Sequence, residues 1–189
     1  MLFWHEIGHG FAAIATGGEV ISTNLDPGQF GHTFVDPNPR PGWVLWGGFL
    51  SGCLIPAAFA LAVPRSATRL HLEAGWIASF CGLTNGVYLA VGGSERLTDT
   101  GQLLQLGWPI AAMIAIGVPL AIAGYLGCRH SAIALWNELT FHPLRRTDLV
   151  IRWLLLVGWI IAQAFLARAI DHTIAPPPLP TPPRSTNTP

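Results

Sequence analysis

His5, Glu6 and His9 stand in the run His-Glu-Ile-Gly-His: two imidazoles four residues apart, with a carboxylate beside the first. On a helix, residues four apart lie one turn apart on the same face. Both imidazoles can then reach one metal ion at about 2.0–2.1 Å. A bound metal draws the pKa of a coordinated water toward about 7, and Glu6 is placed to take that proton as the water attacks a carbonyl. Glu6 can later return the proton to a leaving amine. A plainer alternative exists, since three fixed positions in five recur by chance: two His and one Glu on a solvated helix face. The neighbours Phe3, Trp4, Ile7 and Phe11 argue against it, because ionisable groups in a membrane-like setting are costly and usually functional.

The elements that would position these groups read as follows. Residues 1–16 predict a helix ended by Gly17-Gly18. It is shorter than the roughly 20 residues a span needs, so it is expected to be partly inserted or to begin upstream of Met1. No cleavable leader is expected at residues 1–16, since no basic region precedes the apolar residues. EVISTNL and FGHTFV, around Asp26-Pro27-Gly28, predict a β-hairpin over 19–25 and 30–35. Pro37, Pro39 and Pro41 then break regular structure. Four spans are predicted at 42–63, 72–93, 107–127 and 149–170. The tail 171–189, with APPPLPTPPRSTNTP, cannot bury a core and is expected to be disordered or extended.

Composition supports lipid as the solvent. Charged residues are only 11% and hydrophobic ones 51%, where a soluble domain carries about 25% charged residues. Several of the eight Trp lie near the ends of apolar runs, as suits the membrane interface. All basic residues are Arg, scattered and without a basic run, so nucleic-acid binding has little support. Cys53, Cys81 and Cys128 are odd in number and dispersed, which excludes a disulfide framework or a zinc ribbon. The expected fold is an all-α polytopic membrane protein, a helical bundle with a small β-hairpin after the metal-binding helix. Its domain would be a membrane-embedded core over 1–170.

The wider segment HEIGHGFAAIATGGEV resembles the site-2 protease family of intramembrane zinc metalloproteases. The resemblance is good over residues 5–20 and loose to about residue 109. Its QLLQLGWP segment is similar to the short branch without an inserted peptide-binding domain. The resemblance implies a helical core with one zinc ion inside the bilayer, His5 and His9 as ligands, Glu6 as catalytic base, and membrane-embedded helices as substrates. A catalytic zinc keeps three protein ligands. The family draws the third from an Asp in a Leu-Asp-Gly element, which implies Asp99 in Leu97-Thr98-Asp99-Thr100-Gly101. Here one residue is inserted on each side of the Asp. The alternative for Asp99 is a helix N-cap or turn residue. Glu95 is the nearest competing ligand, and Glu138 a remoter one. The family also places an Asn upstream of its Asp to hold substrate or the developing oxyanion. Asn85 takes that place here, though an interhelical hydrogen bond would explain it equally. His32, His71, His130, His142 and His172 lie outside any ligand spacing.

These readings together predict hydrolysis of membrane-protein substrates in or near the bilayer, in a multi-pass protein of the cell membrane. The competing function is a non-catalytic membrane protein of the same fold, acting as a binding or regulatory module. The intact Glu6 argues against it, since a structural site needs no base. Orientation is set by two lines that disagree. Arg65, Arg69, Arg129, Arg145 and Arg146 follow the second and fourth helices, and only Arg40 and Arg96 follow the first and third. The positive-inside rule then puts the hairpin outside, whereas the family resemblance puts it on the cytoplasmic side. The charge count, read from this chain, is preferred.

Overall fold

The computed structural model describes residues 2–25 and 31–173. Six α-helices and one two-stranded antiparallel sheet occur in the order α1 (Leu2–Ala15), β1 (Val20–Asn24), β2 (His32–Val35), α2 (Pro41–Ala62), α3 (Thr68–Val91), α4 (Asp99–Gln105), α5 (Ile110–Phe141) and α6 (Arg146–Thr173). The fold is the expected helical bundle with a hairpin directly after the first helix. The Asp26-Pro27-Gly28 turn and residues 174–189 of the expected tail lie outside the described residues. α6 runs through Thr173, three residues beyond the expected domain end.

α1 ends where its sequence can no longer stay right-handed. Gly17 takes φ +80°, and Gly18 N–H donates to Ala13 O at 2.8 Å, which caps the last turn. The chain then reverses into β1, whose Thr23 and Asn24 pair with Thr33 and His32 of β2. Pro41 opens α2 at its first turn, where a missing N–H costs nothing. Pro56 lies inside α2 and Pro119 inside α5 without ending either helix.

Among the described residues, three helices are long and apolar enough to cross a membrane: α2, α3 with the 3₁₀ turn that follows it, and α5. α6 forms where the fourth span, 149–170, was predicted. α5 overruns its predicted end at 127 by fourteen residues, so Arg129 and His130 sit inside a helix instead of a loop. The reason is local: after Gly127 nothing forbids helix until Pro143. At the other end Pro109 is the N-cap of α5, and Gly107, at φ +85°, closes the short α4 before it.

Packing is driven by close approach of backbones. In α3 and α5, a Cβ on Gly86 would lie 2.5 Å from Ala121 N, and one on Gly124 would lie 2.3 Å from Leu83 N. Small residues let membrane helices gain dispersion contacts where no hydrophobic drive separates helix from lipid. An apolar core of Leu45, Phe49, Leu89, Leu103 and Met113 joins α2, α3, α4 and α5. Ile114, Val118, Ile122 and Tyr125 of α5 are exposed. Several polar groups are buried instead, with His5, Glu6, His9 and Asn85 each at most 6% exposed.

Candidate metal centre

α1 presents His5, Glu6 and His9 from one face into the bundle, and α4 brings Asp99 to meet them. His5 Nε2 lies 2.7 Å from Asp99 Oδ2, and His9 Nε2 lies 3.3 Å from the same oxygen. Ligand atoms of the three residues fall within 4.8 Å of one another, the sole such His, Cys, Asp or Glu group among the described residues. Around a tetrahedral zinc with bonds of about 2.0–2.1 Å, ligand atoms sit roughly 3.3 Å apart. The His9–Asp99 distance already has that value, and the His5–Asp99 pair has only to open by a fraction of an ångström. The donor set of two imidazoles and one carboxylate is the His₂-carboxylate type that leaves a fourth position free. The residues therefore fit a zinc ion.

Each donor is oriented by a neighbour. His9 Nδ1–H donates to Val44 O of α2 at 2.8 Å. This makes Nδ1 the nitrogen that donates to the backbone and turns Nε2 toward Asp99 and His5. The ring fits because residue 48 is glycine: a Cβ there would lie 2.3 Å from His9 Cε1. α1 and α2 approach closely at the same place. A Cβ on Gly47 would meet Gly8 O at 2.7 Å, and Ser51 Oγ donates to Trp4 O at 2.9 Å. The edge of Tyr88 in α3 stands against the His5 ring, with centroids 5.8 Å apart. Its hydroxyl oxygen accepts Asp99 N–H at 3.1 Å.

Asp99 is the first residue of α4, and the N-cap is Thr98, whose Oγ1 accepts Gly101 N–H at 3.1 Å. The capping role considered for Asp99 therefore falls to its neighbour, and the Asp99 carboxylate is free to point inward. Gly101 has no alternative, since a Cβ would lie 2.0 Å from Glu95 O. Burial alone would raise the Asp99 carboxyl, but hydrogen bonds to His5 and His9 and their charge hold it well below the usual carboxylate range. It is an anion at neutral pH, as a metal ligand must be. Glu95 is exposed, and Glu138 lies 3.5 Å from His142 on α5. Neither joins the cluster.

A cavity of about 250 Å³ opens onto these groups, lined by His5, Glu6 and His9, by Gly31 to Val35 of the hairpin, and by Val44, Tyr88 and Asp99 among others. Glu6 is placed by a residue that no motif flagged: Thr33 Oγ1 of β2 donates to Glu6 Oε2 at 2.8 Å. Asn85 is not brought to this cavity. It is fully buried between α2 and α3, its Nδ2 donating to Cys81 O at 2.9 Å, and it lies where a Cβ on Gly52 would touch it.

A cluster of possible metal ligands at a cavity, in a bundle with helices long and apolar enough to cross a membrane, suits a broad class, the membrane metalloproteins. Comparison of the sequence with family models narrows it, since residues 1–85 match the family described as Peptidase M50B-like. The resemblance to the site-2 protease family holds over that stretch, which carries α1, the hairpin, α2 and most of α3. No curated protein and no solved structure matches the chain.

Proposed function

We propose that this protein is an intramembrane zinc metalloprotease that hydrolyses peptide bonds of membrane-protein substrates. The observation that carries the reading is the convergence of His5, His9 and Asp99 beside Glu6 at one cavity. These side chains come from positions up to 94 residues apart. One zinc ion held by His5, His9 and Asp99 would supply Lewis-acid polarisation of a water and of the scissile carbonyl. The chain's own residues do the rest. Val44 O holds the His9 ring, Tyr88 holds the Asp99 backbone, and Glu6 carries the proton from the attacking water to the leaving nitrogen. The deciding experiment compares wild type with Glu6→Gln on a panel of single-span membrane substrates. Cleavage should fall by about 10²–10⁴-fold, as for loss of a general base, with zinc content unchanged. A folded, zinc-loaded wild type that cleaves nothing on the panel would favour the non-catalytic binding module.

The hairpin supports a reading of how substrate is held. A helical peptide bond is shielded by its own turn, so a substrate must be extended, and an extended segment can add to a sheet edge. Both strands pack against α1, β1 packs against α6 as well, and β2 lines the cavity. The edge available to substrate is therefore that of β2. Successive N–H groups of an antiparallel strand point to opposite edges, so proline placed in turn at Phe34 and Val35 removes an outward donor in one case. That variant should lose cleavage while keeping zinc and expression. If both variants cleave normally, the hairpin is only a connector.

A further inference from the structure

A carboxylate acting as a base must be aimed as well as ionised, and among the described residues the side chain hydrogen-bonded to the Glu6 carboxylate comes from outside α1. The aim comes from the sheet. Thr33 Oγ1 lies 2.8 Å from Glu6 Oε2 and 3.3 Å from Glu6 O, so one hydroxyl spans the side chain and the backbone of the same residue. Thr33 is stiff about χ1, as a β-branched residue in a strand is. It is also paired in register with Thr23, which is buried. Glu6 itself is 4% exposed, so the hydrogen bond is formed away from competing bulk water and is worth more than at a surface.

We propose that Thr33 is a positioning residue for the Glu6 carboxylate: its hydroxyl holds Oε2 against the hairpin and turns Oε1 to the cavity to exchange protons. The proposal rests on Glu6 being the base of the reaction proposed above. It joins the strand that would receive an extended substrate to the group that attends the cleaved bond. Movement of β2 on substrate docking is then transmitted to Glu6 through one hydrogen bond.

The test uses the full chain with Thr33→Val, which keeps the branched shape and loses the hydroxyl, and Thr33→Ser, which keeps the hydroxyl. The Glu6 carboxylate stretch is identified in the infrared spectrum as the band lost in Glu6→Gln. It should shift in Thr33→Val and return in Thr33→Ser. In turnover, Thr33→Val should lower kcat about tenfold with KM and zinc content near wild type, the size expected for one lost hydrogen bond of about 1.4 kcal/mol, and Thr33→Ser should restore most of it. A Glu6 band unmoved in Thr33→Val overturns the proposal whether or not the protein is a protease. So does a kcat that falls equally in Thr33→Ser, because the methyl's packing would then be what matters. If the band shifts and returns as expected but wild type shows no turnover, the protease reading falls and the aiming of Glu6 by Thr33 stands.

Discussion

Two helix pairs in this molecule use the same device to opposite ends. α3 and α5 approach through Gly86 and Gly124, and the space left by the missing side chains is filled by backbone. α1 and α2 also approach through glycines, but the space above Gly48 is filled by the His9 imidazole. In the first pair the glycines make a rigid scaffold. In the second they make a slot for the His9 ring, whose orientation is then fixed by Val44 O. Small residues in membrane helices are thus not uniformly packing devices; what occupies the space decides whether the contact is structural or functional.

The sharpest way to break this contrast is at the centre that the second pair serves. Asp99→Asn should weaken zinc binding by at least about 100-fold, more than the 10–100-fold typical of outer-shell partners. Glu95→Gln, four residues away and exposed, should bind zinc as wild type does. Metal analysis of both variants after dialysis checks this, and equal retention of zinc would remove Asp99 from the site. Next in size is Gly48→Ala. Its methyl would displace the His9 ring, so zinc affinity should fall about 10–100-fold with the helical content unchanged. The smallest effect on the site is expected from Gly86→Ala. Forcing α3 from α5 should cost about 1–3 kcal/mol of stability, read as a lower unfolding midpoint, with zinc per folded molecule at the wild-type level. Loss of zinc in Gly86→Ala equal to that in Gly48→Ala would erase the distinction between the two pairs.

Much of this was legible in the sequence because its signals are local. The His-Glu-Ile-Gly-His spacing, the Gly17-Gly18 stop and the β-branched runs of the hairpin each act within a few residues. Asp99 was reached through its resemblance to a family element, since nothing across the 94-residue separation from His5 ties a carboxylate to a distant helix. Thr33, Tyr88 and Gly48 were not legible at all. A threonine in a strand, a tyrosine in an apolar helix and a glycine beside another glycine look the same whether or not they touch a site. The amide of Asn85 read equally as helix glue or as a substrate contact, and its burial against Gly52 places it between helices, off the cavity lining. The end of α5 was misplaced because Gly127 and the polar Arg129-His130 resemble a stop, while a helix needs a stronger reason than polarity to end.

That long α5 has a further consequence as a depth gauge. Its 32 residues extend about 48 Å at 1.5 Å each, against a hydrocarbon layer of about 30 Å. Twenty residues account for that thickness; with Ile110 at one face the layer would end at Arg129, and the remaining turns would stand clear of it like a mast. At that raised end Arg69 of α3 donates to His142 O, and Arg152 of α6 pairs with Glu73, a ring of fixed charge that cannot sink into lipid. Gly86 and Ala90 of α3 meet Ala121 and Gly117 of α5, so Tyr88 between them, with the His5 ring beside it, lies level with the middle of that stretch, and the cluster would sit near mid-layer. Water would then reach it by way of the cavity that the hairpin lines.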